Sequence, residues 1–174
     1  LQQVTAARPA SASRSPVPAA PATTDKTTRL ASLALRAEKS EACRSLGTLR
    51  DTMVFAKGSP DADLMFVGEA PGAEEERQGE PFVGPAGQLL SKIIQAMGFK
   101  SGEIYISNIC KFRPMVEDGR PQANRNRAPT RLEMDTCLPF IMEEIRIIQP
   151  RLIVALGATA SSGLIANNLI YANP

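Results

Sequence analysis

The sequence contains no histidine and no tryptophan, and aromatic residues make up only 5% of its 174 residues. Histidine is the commonest general acid or base in enzymes and the commonest metal ligand. A mechanism that depends on histidine therefore cannot be completed by these residues alone.

Long apolar runs are also absent, and no stretch approaches the roughly 18 apolar residues that a membrane-spanning helix needs. The N-terminus has no compact apolar core of a secretory signal. Net charge is only +2, from 20 basic and 18 acidic residues, so overall charge does not identify a polyanionic partner. We expect a soluble cytoplasmic protein with no membrane partner, and the 43% hydrophobic content is enough for one folded domain.

Cysteine is scarce, and Cys43, Cys110 and Cys137 form no CxxC pair. Widely separated cysteines in a chain of this kind are most simply read as buried, reduced thiols. The cysteine pattern therefore predicts no metal site.

Residues 1–28 are rich in alanine, proline, serine and threonine and show no hydrophobic period. Such a composition cannot bury enough apolar surface to offset the entropy of ordering. We predict a disordered tail over 1–28 and one folded domain over 29–174, which opens with a short helix from Thr28 to Ala42.

The remainder alternates strands and helices. Short apolar runs at 63–68, 103–108 and 151–157 predict buried parallel strands. Helices are predicted from Pro85 to a stop at Gly98, from the capping threonine Thr130 to Pro150, and from about Ala158. The pattern predicts an α/β fold with a parallel central sheet and helices on both faces. Because three strands would leave an exposed apolar edge, we expect the domain to be C-terminally incomplete.

Ligands of such sheets bind beyond the carboxyl ends of the strands, which here selects 68–72, 108–113 and the segment from Gly157. Gly68 and Gly72 bracket a turn that is either structural or close to a ligand. A phosphate-binding loop is disfavoured, because GxxxxGK[ST] and GxGxxG are absent and three glutamates, 74–76, follow the turn.

Three side-chain types on this rim have both a structural and a chemical interpretation. The glutamates are either solvated surface or include a carboxylate that orients water and stabilises positive charge. Phe82 is either a core residue or a platform on which a base stacks. Asn108 either caps a turn or offers the donor and acceptor needed to read a pyrimidine edge.

The segment 109–131, here called the basic loop, has a local excess of four positive charges. Its cationic residues are Lys111, Arg113, Arg120, Arg125, Arg127 and Arg131, set against Glu117 and Asp118. The loop is either a solubilising surface or, beside a base-sized pocket, a set of phosphodiester contacts.

The motifs "DADLMFVGEAPG", "PFVGPAGQLL", "YISN", "NR.P" and "QP..IVALGATA" occur in this order over residues 61–160. Together they resemble the uracil-DNA glycosylase superfamily, in particular its bacterial and archaeal iron–sulfur type, often called family four. The resemblance implies a three-layer α/β/α sandwich that flips uracil out of DNA and hydrolyses its N-glycosidic bond.

The resemblance also implies roles for individual residues. Glu75 and Glu69 are expected to be catalytic, Glu75 as the carboxylate near the attacking water. The expected substrate-binding residues are Gly68, Ala70, Pro71, Gly72, Phe82, which stacks on uracil, and Asn108, which rejects cytosine. The expected DNA-binding residues are Lys111, Arg113, Arg125 and Arg127.

The sequence departs from the family pattern in three places. Family members hold a cluster with four cysteines, including one in "KCRP", where this chain has Phe112 in "KFRP". We therefore expect no iron–sulfur cluster and no other cofactor. The family's His-Pro-Ser loop is absent, and an insertion from Met115 to Arg125 lengthens the basic loop.

Two functions of different classes remain. The first is a monomeric repair glycosylase whose partner is uracil-containing DNA. The second is a catalytically impaired nucleic-acid-binding module of the same fold, which binds DNA in a salt-sensitive manner without releasing a base.

Overall fold

The computed structural model describes residues 23–116 and 120–165. The helices are α1 (Thr23–Glu38), α2 (Glu41–Ser45), α3 (Ala73–Gln78), α4 (Pro85–Ala96), α5 (Arg131–Ile148) and α6 (Ala158–Ile165), with a 3₁₀ turn at Ser101–Glu103. The strands are β1 (Leu49–Met53), β2 (Ala56–Gly58), β3 (Leu64–Gly68), β4 (Ile104–Asn108), β5 (Phe112–Pro114) and β6 (Leu152–Ala155).

Within the described residues, the central sheet has four strands in the order β2-β4-β3-β6. Strands β3, β4 and β6 are parallel and coincide with the three predicted runs. Strand β2 is antiparallel to β4, which makes the sheet mixed. The sequence analysis missed β2 because the three residues Ala-Lys-Gly carry no apolar run.

Helices cover both faces of this sheet because side chains alternate along its strands. Met65, Val67 and Tyr105 pack in one core with residues of α1, α5 and α6. Leu64, Phe66, Ile104 and Ile106 form the opposite core with Leu90 and Ile94 of α4. All residues of β3 and β4 are consequently buried, and the predicted three-layer α/β/α sandwich is confirmed.

A second, two-stranded sheet pairs β1 with β5 in antiparallel fashion. Helix α5 lies nearby and begins at the predicted capping box, in which the Thr130 hydroxyl accepts from the Glu133 N–H at 3.2 Å. Because β5 lies in the basic loop, its pairing with β1 attaches the start of that loop to the rest of the domain.

The predicted boundary at residue 28 needs correction. Helix α1 begins at Thr23, and Lys26 is only 5% exposed. Its ammonium donates to the Ile148 carbonyl at 3.0 Å and pairs with Asp61 at 3.2 Å. Residues 23–28 therefore belong to the folded part, while the rest of the predicted tail lies outside the described residues.

Residues 166–174 also lie outside the described part of the chain, so the expected C-terminal incompleteness stays a prediction. Across the two described ranges, every helix is too short or too polar to cross a bilayer.

Candidate active site

The candidate site lies where β3 and β4 end. Gly68 and Asn108 pair in register as the last residues of these parallel strands. Beyond them, the Ile109 N–H donates to the Gly68 carbonyl and the Cys110 N–H donates to the Glu69 carbonyl, both at 2.9 Å. These bonds keep the two chains side by side past the sheet, so the loops that follow wall one cavity.

This cavity has a volume of about 380 Å³. It is lined by every residue that the sequence predicts as catalytic or substrate-binding, namely Gly68, Glu69, Ala70, Pro71, Gly72, Glu75, Phe82 and Asn108. The structure thus brings together residues from three separate parts of the chain. Their individual roles stay predictions.

The inner end of the cavity is formed by Gly68, Phe82 and Asn108. A Cβ atom at Gly68 would clash with the Asn108 Oδ1 atom and with the Phe82 ring. Any larger residue at this position would therefore displace the Asn108 amide or the Phe82 ring. Asn108 is only 2% exposed, which restricts its amide to ligands that enter the cavity.

Phe82 is held in an unusual backbone conformation, with φ at +55°. The close approach of α4 requires glycine at residue 87, since a Cβ atom there would clash with the Phe82 backbone. The Lys57 ammonium donates to the Phe82 carbonyl at 3.3 Å. Left-handed backbone at a non-glycine residue is strained and typical of functional sites, which favours the interpretation of Phe82 as a ligand platform.

Glu75 joins the two loops that line the outer part of the cavity. Its Oε1 atom accepts from the Val83 N–H at 2.9 Å and the Gly84 N–H at 2.8 Å. Its Oε2 atom accepts only one longer bond, from the Gly72 N–H at 3.2 Å. The Oε2 atom is therefore the oxygen with remaining capacity to accept a hydrogen bond.

The neighbouring glutamates have different partners, so the acidic run is not a uniform solvated surface. Glu74 pairs with Arg77 on the outside of α3. Glu76 accepts from Arg50 and from Arg113, both at 2.8 Å. Burial opposes ionisation of Glu76, but the hydrogen bonds from the two arginines lower its pKa below the usual range.

Two of the four predicted DNA contacts require correction. The Lys111 side chain is 0% exposed and that of Arg113 is 4% exposed. The Arg113 guanidinium donates to Glu76 and to the carbonyls of Ala123 and Arg125. Both side chains are thus bound to partners inside the protein and cannot contact a DNA phosphate.

Arg125 and Arg127 are both half-buried, and Arg127 lines the cavity. The Arg127 guanidinium donates to both carboxylate oxygens of Glu133 at 2.7 Å. Burial would raise the pKa of Glu133, but hydrogen bonds from Arg127, Thr48 and the Thr130 N–H lower it to about 2. The ion pair anchors the end of the basic loop to α5.

Asn126 is a cavity residue that the sequence analysis did not single out. Its Oδ1 atom accepts from the Arg113 Nε atom at 2.9 Å, which fixes the orientation of the amide. The Nδ2 atom lies 3.0 Å from where a Gly72 Cβ atom would be, and the Glu75 Oε2 atom lies 2.8 Å from the same point. The motif "NR.P" contains this residue, but the loop was interpreted by its charges alone.

The three cysteines pack together in a core with Leu49 and Phe112, and each is at most 1% exposed. The sulfur atoms of Cys43 and Cys137 are 3.8 Å apart. The hydrogen bond with Cys137, followed by burial, raises the pKa of Cys43, and the hydrogen bond with Cys110 raises that of Cys137 to about 12. Contact between the thiols and their burial thus disfavour ionisation of Cys43 and Cys137.

This core does not fit a four-thiolate iron–sulfur cluster. The sequence has only three cysteines, and the Phe112 ring is buried among them. Within 23–116 and 120–165, no group of three or more His, Cys, Asp or Glu residues is arranged to hold a metal ion.

Comparison with known proteins gives one family and several relatives. Residues 55–171 match the sequence model of the Uracil DNA glycosylase superfamily. The type-4 uracil-DNA glycosylase of Thermotoga maritima is 42% identical over 127 residues, which are 73% of this chain and 61% of the relative. That of Pyrobaculum aerophilum is 40% identical over 115 residues, 66% of this chain and 54% of the relative.

A third relative, the type-4 uracil-DNA glycosylase of Sulfurisphaera tokodaii, is 40% identical over 113 residues and is matched over 47% of its length. The chain thus spans roughly half to three fifths of the length of these relatives.

Proposed function

Because this chain belongs to the uracil DNA glycosylase superfamily, we propose that it flips uracil out of DNA and hydrolyses the bond between the base and the sugar. The observation that carries the proposal is the convergence of Phe82, Asn108 and Glu75 on one cavity. A flat surface, a side-chain amide and a carboxylate are the three groups that recognition and removal of a pyrimidine require.

Base recognition is assigned to the inner end of the cavity. Uracil stacks on the Phe82 ring while the Asn108 amide bonds to its polar edge. Cytosine presents an exocyclic amine, which reverses the donor pattern at that edge, so an amide held in the orientation that suits uracil cannot pair with cytosine. The tight turn at Gly68 leaves no room for the methyl group of thymine.

Bond cleavage is assigned to the outer part of the cavity. The oxygen of a water molecule bonds to C1′ of the sugar as the C1′–N1 bond breaks, and the bonding electron pair leaves with uracil. The water proton passes to solvent. Positive charge develops on the sugar, so a fixed carboxylate beside it lowers the barrier. The Glu75 Oε2 atom is suited to this role because backbone N–H groups hold the carboxylate in place. Glu69 lines the same cavity and adds a second negative charge.

The test is uracil release by the full-length gene product from a labelled oligonucleotide with one uracil. Matched oligonucleotides with cytosine or thymine at that position are the controls. We expect strand breakage after alkali only with uracil. An intact uracil substrate, under conditions in which a type-4 relative cleaves it, would refute the proposal.

The same preparation distinguishes a non-catalytic module. Salt-sensitive binding to DNA without any base release would support that function instead. These 174 residues supply no histidine, which is the feature that favours a non-catalytic role for this part of the protein.

The proposal includes the absence of an iron–sulfur cluster from this protein. Support comes from the count of three cysteines, one fewer than the four thiolates of such a cluster, and from Phe112 in their core. Stoichiometric iron and acid-labile sulfide in protein purified without oxygen would contradict it. That the protein is monomeric and cytoplasmic stays a prediction, which light scattering and cell fractionation would check.

A further inference from the structure

A buried ion pair lies beside Asn108, and the proposed chemistry does not use it. Lys111 and Glu144 of α5 are in ion-pair contact, and both side chains are 0% exposed. Removing two charges from water is costly, and apolar side chains of similar size are often at least as stable as such a pair. Stability alone therefore does not explain why this charge pair is present.

The hydrogen bonds that Lys111 donates go to the end of β4, and a further contact is with an aromatic ring. Its ammonium donates to the Ser107 hydroxyl at 2.6 Å and to the Asn108 carbonyl at 2.8 Å, and it lies 5.3 Å from the centre of the Phe55 ring. The cation thus bridges α5 to the residue that carries the amide of the cavity.

We infer that Lys111, held by Glu144, is a positioning residue that fixes Asn108 for recognition of the flipped base. The inference rests on the proposed function. It adds Lys111 and Glu144 to that site as residues that act through Asn108. Lys111 touches neither substrate nor the reacting atoms.

The geometry explains why such a device is needed. Asn108 is the last residue of β4, and the bond from Lys111 to its carbonyl adds a restraint from α5 to the backbone pairing with β3. The Asn108 Oδ1 atom and the Phe82 ring both pack so closely on Gly68 that a Cβ atom there would clash with each, so a small shift of Asn108 changes this end of the cavity. A displacement of about 1 Å at a site of this kind can cost up to about 100-fold in rate.

The test replaces the pair as a unit, because Lys111→Met alone would leave a buried unpaired carboxylate. We expect the unfolding temperature of the Lys111→Met, Glu144→Leu protein to lie within a few degrees of that of the wild type. Its kcat/KM for uracil release should nevertheless fall about 10- to 100-fold. Ile147→Val, in the core on the same helix, is the matched control and should keep kcat/KM within about 2-fold. Wild-type kcat/KM in the folded pair replacement would overturn the inference.

A second measurement does not depend on activity. The side-chain amide resonance of Asn108, assigned by its loss in Asn108→Ala, should shift or broaden in the pair replacement and stay unchanged in Ile147→Val. An unchanged resonance would overturn the inference. If the full-length wild type releases no uracil, the proposed function fails while this resonance still decides the role of Lys111.

If the pair replacement does not fold, the Glu144→Gln variant tests the positioning role instead. This variant keeps the size of the side chain but removes the charge that holds Lys111, so the Asn108 amide resonance should shift or broaden. An unchanged resonance in a folded Glu144→Gln protein would contradict the role given to the pair.

Discussion

The two sides of the cavity are built in different ways. Gly68 and Asn108 end two paired, fully buried strands, so the central sheet fixes this side. Asn126 and Arg127 lie in the basic loop, which is held by side-chain bonds from Arg113 and to Glu133. Substitutions on the strand side should therefore change the chemistry of a stable protein, whereas substitutions on the loop side should first change stability.

The largest effect is expected for Asn108→Asp on the strand side. The substitution removes the only donor of the side chain and places a carboxylate against a uracil carbonyl oxygen. We expect kcat for uracil release to fall about 100- to 1,000-fold, as when one preorganised donor is lost from other enzymes. Single-turnover kinetics on a uracil oligonucleotide would measure it, with the unfolding temperature showing that the fold is intact.

Asn126→Ala is the matched amide substitution on the loop side. It removes a donor at the outer end of the cavity, where solvent can replace the bond, so kcat/KM should fall no more than about 10-fold. An equal fold-loss in the rate of uracil release in Asn108→Asp and Asn126→Ala would contradict the expected difference between the strand side and the loop side.

The second-largest effect is expected on the loop side, where the free energy of unfolding should depend on pH. The Glu133 pKa is lowered from 4.5 to about 2 in the folded protein. A lowered pKa contributes stability that is complete above pH 4.5 and is lost as the pH falls towards 2. We expect up to about 3 kcal/mol of the free energy of unfolding to disappear across this window. Urea titrations at pH 5.5, 4, 3 and 2.5 would measure the loss.

Glu133→Gln isolates this contribution, because other carboxylates titrate over the same range. Wild type and variant should differ most at pH 5.5, and the difference should shrink steadily towards pH 2.5. A difference independent of pH would show that the Arg127–Glu133 ion pair does not anchor the loop.

The strand side could be predicted from the sequence because short apolar runs define strands and parallel strands end at one edge. Gly68 and Asn108 each end such a run, so their proximity follows from the fold class. Helix α5 was predicted equally well, since its capping box and its following proline are local signals. These features depend on residues close together in the chain.

The loop side could not be predicted in the same way. Lys111 and Arg113 look like surface cations, and their burial depends on Glu144 and Glu76, which are 33 and 37 residues away in the sequence. The position of Asn126 in turn depends on Arg113. Charge in a loop thus shows neither whether a side chain is exposed nor which partner holds it.

A third prediction tests whether Arg113 is structural, as its burial indicates. Arg113→Met would leave the Ala123 and Arg125 carbonyls and the Asn126 amide without their donor, and we expect a loss of about 2 kcal/mol in the free energy of unfolding. Arg50→Met is the control, since it removes the other, half-exposed partner of the same Glu76 carboxylate. That substitution should cost less than about 1 kcal/mol. Equal urea midpoints for the two variants would argue against a structural Arg113.

The smallest effect is expected for Arg125 on the loop side, whose contact with DNA stays a prediction. Arg125 is half-buried, and its guanidinium donates to the Arg120 and Pro121 carbonyls, at 3.0 and 2.9 Å. If it contacts a phosphate, Arg125→Gln should lower the slope of log K against log salt for DNA binding by about 0.7 to 0.9 and weaken binding only a few-fold. Arg146→Gln, an equal change of charge near the far end of α5, should leave the slope unaltered. Equal slopes for wild type and Arg125→Gln would remove Arg125 from the DNA interface and leave Arg127 as the remaining predicted cation beside the cavity.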